Sequence, residues 1–163
     1  MAEYYLMSQL PSLDAIGENS ALPITEERFL ELCKSFLGKK AQQEINKLTL
    51  VPPRTSEKSS SSLIESWNDG ERNLRLALGK VRADKNKKQF DADINCLSSD
   101  LLKIARTAVE MESPYEAEKF LNRYRLDYLE SLRPMDPFSE ESAFYYGLNL
   151  KLLIQIRQYD ADI

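Results

Sequence analysis

Three acidic pairs have the residue type and spacing for acid–base or metal chemistry: Asp91 with Asp93, Glu116 with Glu118, and Asp160 with Asp162. Two carboxylates can share a divalent ion or divide the roles of acid and base. Residues two apart on a helix do not face one another, so each pair reads first as solvated charge. The first two pairs suit helix starts, where carboxylates meet the positive end of the helix dipole, and the third falls in a C-terminal segment expected to fray.

The rest of the inventory points away from catalysis. The chain has no histidine, which removes the commonest general base, the Ser–His and Cys–His nucleophile pairs, and nearly all mononuclear zinc sites. Its five glycines, at 17, 38, 70, 79 and 147, form no phosphate-cradling loop, so the Rossmann and P-loop readings are excluded. Cys33 and Cys96 both stand in apolar contexts of helical spacing and read as buried packing residues of a reducing compartment. The sequence therefore calls for no catalytic residue, no metal and no cofactor.

Binding surfaces are the remaining class. From Glu71 to Phe90, Arg72, Arg75, Lys80, Arg82, Lys85, Lys87 and Lys88 stand against only Glu71 and Asp84. Such a stripe can face an acidic protein or a phosphate backbone, although stems of Arg75 and Arg82 can equally cover the edge of a core. The net charge of −4 argues against a general nucleic-acid binder. Trp67, the single tryptophan, reads as a core anchor or an interface residue. Tyr115, Tyr124, Tyr128, Tyr145 and Tyr146 crowd the last third of the chain as core residues with hydrogen-bonded tips, or as the lining of a groove.

Helices must carry these residues. With 163 residues, 42% apolar and 29% charged, the chain suits one soluble domain with one core. Tyr4-Tyr5-Leu6-Met7, closed by Pro11, is a short strand or helical turn that docks on the rest. Thr25 with Glu26 and Glu27 opens a helix bearing Phe29, Leu32, Cys33 and Phe36; after Gly38 a second carries Ala41, Ile45 and Leu48. Pro52-Pro53 and the polar run from Thr55 to Ser62 form a linker or mobile loop. Leu63, Trp67, Leu74, Leu78 and Val81 predict a long helix to about Lys87, which Gly70 and Gly79 mark for a kink or a close helix contact.

Ile94, Leu97, Leu101, Ile104, Ala108 and Met111 alternate by threes and fours, and predict that Phe90 to Met111 is the central helix of the bundle. Ser113-Pro114 starts another helix through Ala117, Phe120, Leu121, Tyr124, Tyr128 and Leu132, ended by Pro134. Ser139 with Glu140 and Glu141 starts the last, whose apolar residues spread so widely that it is buried on two sides, by this domain or by a partner. The expected fold is all-α, a bundle of about five to six helices with a short N-terminal docking segment. Residues 1–163 are read as one domain: a helical hairpin at 1–50, a Pro/Ser-rich loop at 51–62 and the main bundle at 63–163.

The opening Tyr4-Tyr5-Leu6-Met7-Ser8-Gln9-Leu10-Pro11-Ser12-Leu13 resembles the start of an uncharacterised bacterial family encoded among the subunits of V-type ATPases. Glu27-Arg28-Phe29-Leu30-Glu31-Leu32-Cys33 is similar too, as are Trp67-Asn68 through Asn73-Leu74-Arg75, Val81-Arg82-Ala83-Asp84, and Pro137-Phe138-Ser139 through Asn149-Leu150-Lys151-Leu152-Leu153. These are packing motifs spread over most of the chain. Members of that family resemble a reduced form of the all-helical C/d-type component of V-type ATPases, which seats the central stalk on the membrane ring. Asn73-Leu74-Arg75-Leu76 against Asn149-Leu150-Lys151-Leu152 is an internal echo of the kind a repeated helical unit leaves.

The resemblance implies a non-enzymatic accessory or central-stalk coupling subunit, with V-type ATPase stalk and membrane-ring subunits as partners and no nucleic acid. It implies no insertion into the membrane and a cytoplasmic location, peripheral at its inner face through the complex. The alternative is a free-standing helical adaptor. The contact residues expected are Trp67, Arg72, Arg75 and Arg82, with the loop from Met135 to Phe138.

Overall fold

The computed structural model describes residues 2–14, 16, 20–52 and 59–161. Their regular structure is all helical: α1 (Ala2–Gln9), α2 (Glu26–Phe36), α3 (Lys39–Lys47), α4 (Ser62–Lys85), α5 (Ser99–Glu110), α6 (Pro114–Ser131) and α7 (Glu140–Ala161). The six helices after α1 make the bundle, and α1 is the docking segment, seated by a fully buried Leu6.

Local chemistry sets the helix starts. Thr25, Ser61, Ser98 and Ser113 each accept a hydrogen bond from the backbone N–H three residues on, which satisfies a donor that the helix itself leaves open. Pro114 occupies the first turn of α6, where a missing N–H costs nothing. Ser139 plays the capping part for α7, its hydroxyl accepting from Ser142 N at 3.2 Å.

Only the second half of the helix predicted from Phe90 to Met111 forms, and it is not the central one. Phe90 to Ser98 is a run of bends and turns, and α5 begins only at Ser99. Asp93 Oδ1 accepts from Asn95 N at 2.9 Å, so short polar side chains meet backbone groups locally and compete with the helix. Ile94 and Leu97 are consequently half-buried turn residues. Cys96, expected in the core, is exposed because its segment is not helical, whereas Cys33 is buried as predicted. Asp91 and Asp93 likewise lie in this turn and not at a helix start.

The centre of the bundle is α7. It packs against α1, α2, α3, α4 and α6, and its residues from Ser142 to Leu148 are all buried. Its wide apolar spread is thus covered by this chain's own helices. Gly147 permits the closest approach: a Cβ there would lie 2.7 Å from Leu48 Cδ1 and 3.1 Å from Phe29 Cε1, so the α2–α3 hairpin sits directly on the α7 backbone.

The buried apolar residues fall into two clusters that divide within α4. One gathers α1, α2, α3 and α7 with Leu63, Ile64 and Trp67 of α4 and Leu129 of α6. The other joins Leu74, Ala77, Leu78 and Val81 of α4 to Leu101, Ala105 and Ala108 of α5 and Leu121 of α6. Helix α4 runs unbroken through both, so Gly70 and Gly79 mark close contacts and no break. A Cβ on Gly70 would overlap the Tyr128 ring at 2.3 Å, and one on Gly79 would press on Phe90 at 3.1 Å.

The polar stretch expected as a linker is anchored where it is described; residues 53–58 lie outside the described residues. Ser59 and Ser60 donate to the Glu44 carboxylate at 2.8 and 3.3 Å, and Ser61 Oγ donates to Glu141 at 2.8 Å. No helix among the described residues is long and apolar enough to cross a membrane.

Candidate functional site

The six residues singled out for contact separate into three places. Trp67 is inside: only 1% of it is exposed, and its ring packs beside Tyr128 at 6.2 Å between centroids. Its face on α4 points into the larger apolar cluster, which takes it off this chain's surface. Its indole Nε1 is the one buried side-chain N or O among the described residues without a hydrogen-bond partner.

The arginines of α4 divide by partner. Arg75 Nε donates to Glu71 Oε1 at 3.0 Å, so this cation serves the interior as much as the surface. Arg72 pairs with Asp69 at 3.2 Å. Arg82 is exposed and lines an open cleft of about 300 Å³ with Pro114, Ala117, Leu121 and Tyr159. Lys85, Lys87 and Lys88 follow it at the exposed end of α4.

Met135 and Phe138 lie in the α6–α7 connection, and Phe138 is joined by residues that the contact expectation did not include. Phe138 packs on Tyr4 of α1 with ring centroids 4.7 Å apart, and Tyr4 in turn meets Tyr5 edge-on at 6.0 Å. Five large apolar side chains are exposed among the described residues: Tyr4, Tyr5, Val51, Met135 and Phe138. Three of the five, Tyr4, Tyr5 and Phe138, are joined by ring contacts, and Met135 stands three residues before Phe138 in the same loop. Scattered single apolar residues are ordinary on a surface, but a contiguous aromatic group marks a contact site.

The supports of this face are stiff. Asp136 Oδ1 accepts from Phe138 N at 2.9 Å, while its backbone oxygen accepts from Ser139 Oγ at 2.9 Å and Ser142 Oγ at 2.6 Å. The chain after α1 is clamped as well: Tyr146 Oη donates to Pro11 O at 2.6 Å, and Arg133 Nη2 donates to Asp14 Oδ1 at 2.8 Å. Arg133 also grips Glu130 at 2.8 Å and lies 5.0 Å over the Tyr145 ring. Its guanidinium holds the Glu130 carboxyl below the usual range. Burial pushes the Tyr145 and Tyr146 phenols up to about 12, with the Glu130 hydrogen bond adding to Tyr145.

A second polar assembly is internal. Arg125 donates to both oxygens of Glu71 at 3.0 Å, to Glu118 Oε1 at 3.0 Å and to Asn122 Oδ1 at 2.9 Å. Glu118, expected as a solvated charge, is therefore an internal partner. Beside the assembly is a cavity of about 70 Å³ lined by Trp67, Arg75 and Gln155 among others. No signal of periodicity or spacing pairs Glu71 with Arg125, which stand on separate helices.

The carboxylate pairs form no shared site. Asp160 Oδ1 accepts from Tyr115 Oη at 3.1 Å, and Asp162 lies outside the described residues. Among the described residues no three His, Cys, Asp or Glu side chains gather as metal ligands. The thiol of Cys33 is pushed up to about 12 by burial, far from a reactive thiolate. What the surface does offer is a preformed aromatic face and, at the far end of α6, an open cleft lined by both Arg82 and Glu118. Helix α6 has 18 residues, so about 27 Å separates its two ends.

No family model, curated protein or solved structure matches this chain.

Proposed function

We propose that this chain is a non-catalytic helical binding component, an accessory or central-stalk coupling subunit of a bacterial V-type ATPase, that works through protein contacts. The observation that supports it is the gathering of the exposed rings of Tyr4, Tyr5 and Phe138, with Met135 exposed in the same loop as Phe138. That face stands on a loop and a helix held from beneath by hydrogen bonds and a buried Leu6. Binding to an already ordered face loses less conformational entropy, and a stiff body transmits position or torque. The choice of ATPase as partner comes from the sequence resemblance alone.

A second reading is a free-standing adaptor that bridges two proteins. Two surfaces of different chemistry, the aromatic group after α6 and the cleft of mixed charge between Arg82 and Glu118 at its start, favour this reading.

Affinity purification of the tagged protein from its own cells, with solubilised membranes included, separates the two. Recovery of stalk or ring subunits of the V-type ATPase supports the coupling role. Their absence, under conditions that keep the ATPase intact, overturns it in favour of the adaptor.

A further inference from the structure

Phe138 of the aromatic face lies in an acidic stretch of the chain. Between Leu126 and Leu150 the chain carries Asp127, Glu130, Asp136, Glu140 and Glu141 against a single cation, Arg133, and there is no Lys or Arg before Arg28. Arg133 is already shared by two carboxylates, Asp14 and Glu130, in ion pairs of 2.8 Å each. That trio carries a net negative charge. Asp136 and Glu140 are exposed on either side of Phe138 in sequence, and neither has a cationic partner among the described residues. Their charge is open to a partner.

Apolar anchors and charge together define the occupant. Tyr and Phe provide large contact area for few rotatable bonds, and Met adapts to the shape of what it meets. Carboxylates beside such an anchor, here the exposed Asp136 and Glu140 on either side of Phe138 in the chain, favour cations in the partner and repel acids, which supplies selectivity and a faster encounter. We infer that the aromatic face of Tyr4, Tyr5 and Phe138 receives a cationic amphipathic segment of a partner protein, in which bulky apolar residues are flanked by Lys and Arg. This rests on the reading of the chain as a protein-binding component and names the chemistry of what it binds.

The test uses the full chain and two labelled model peptides of about 18 residues with the same leucine stripe. One is flanked by lysines and the other by glutamates, and binding is read by fluorescence anisotropy at low and moderate salt. The lysine peptide is expected to bind at least about tenfold tighter than the glutamate peptide, with the difference shrinking as salt rises. Phe138→Ser and Tyr4→Ser, which leave net charge unchanged, are expected to weaken it about tenfold. Asp136→Lys with Glu140→Lys removes the preference, whereas Asp100→Lys on α5, a remote exposed site, does not. Melting temperatures of all variants establish that each is folded.

Equal binding of the two peptides, or binding that Phe138→Ser and Tyr4→Ser leave intact, overturns the inference. So does self-association in sedimentation that Phe138→Ser abolishes, because a second copy then fills the face. Repeating the affinity purification with Phe138→Ser keeps the two conclusions apart. ATPase subunits that still come down with the variant sink this docking face but not the coupling role. Peptide selectivity without recovery of ATPase subunits sinks the coupling role and leaves the face standing.

Discussion

Arg125 of α6 holds the Glu71 carboxylate of α4 in a two-pronged grip, Nε to Oε2 and Nη2 to Oε1, each at 3.0 Å. Only 3% of the Glu71 side chain is exposed, and it falls in α4 between Trp67 of one apolar cluster and Leu74 of the other. Breaking such a pair from one side leaves a buried charge with fewer partners. Arg125→Met is therefore expected to cost about 3–5 kcal/mol in urea unfolding. Adding Glu71→Leu to it should restore most of that loss, since an apolar replacement of both partners leaves no buried charge. A double variant no more stable than Arg125→Met would show that the grip is not the source of the cost.

Gly70 of α4 faces the Tyr128 ring of α6. Alanine there would gain about 1 kcal/mol of helix propensity in isolation. Its Cβ, however, would fall 2.3 Å from Tyr128 Cε1, and that ring is fixed by a 2.6 Å hydrogen bond from its hydroxyl to Ser66 O. Overpacking of this kind costs about 1–3 kcal/mol, so Gly70→Ala is expected to destabilise. The paired variant Gly70→Ala with Tyr128→Leu, which clears the ring, should recover part of the loss on thermal unfolding.

Lys87 has a φ of 55°, the one positive φ at a non-glycine residue among those described. It stands just after α4, with Lys87 N donating to Asp84 O at 3.2 Å and Lys88 N to Ala83 O at 2.8 Å. That pair of bonds is the Schellman ending of a helix, for which glycine is the favoured residue. Lys87→Gly removes the Cβ penalty of the left-handed conformation and is expected to stabilise the protein by about 1 kcal/mol. A higher urea midpoint with an unchanged slope is the result to look for.

Tyr145 and Tyr146 titrate near 12 in the fold, raised first by burial, against about 10 in an unfolded chain. Below pH 10 both states hold the protons and the stabilisation is fully present. As pH rises from about 10 through 12 the unfolded chain loses protons that the fold keeps, so stability falls with pH across that window. Melting temperature should drop there, and the loss should be smaller in Tyr146→Phe, which has no proton to lose at that site. Equal alkaline loss in the variant would assign the effect to other groups.

Helix identity was legible in the sequence wherever cap, period and stop agreed. Thr25 before Glu26-Glu27 and Ser113 before Pro114 mark the starts of α2 and α6, because a side-chain cap is a local interaction between residues three apart. The all-helical class follows from the same local rules. Period without a cap misled: the spacing of Ile94 and Leu97 extends the stripe of α5, but Asp91, Asp93 and Asn95 turn the chain before Ser98. That residues 135–138 leave the helix was legible from Pro134, but the exposure of Phe138 and the burial of Trp67 were not, because residue type and spacing do not say which aromatic side chain is covered.

The sequence by itself determined the all-helical class and where threonine, serine and proline begin α2, α6 and α7, since those choices are made over three or four residues. The tertiary structure alone decided which helix lies at the centre, that Glu71 answers Arg125 54 positions away, and that Tyr4 of α1 stacks on Phe138. Those relations are distances between helices that the one-dimensional pattern does not encode. A broad apolar spread such as that of α7 is satisfied by any cover, and only packing shows that five helices of the same chain supply it.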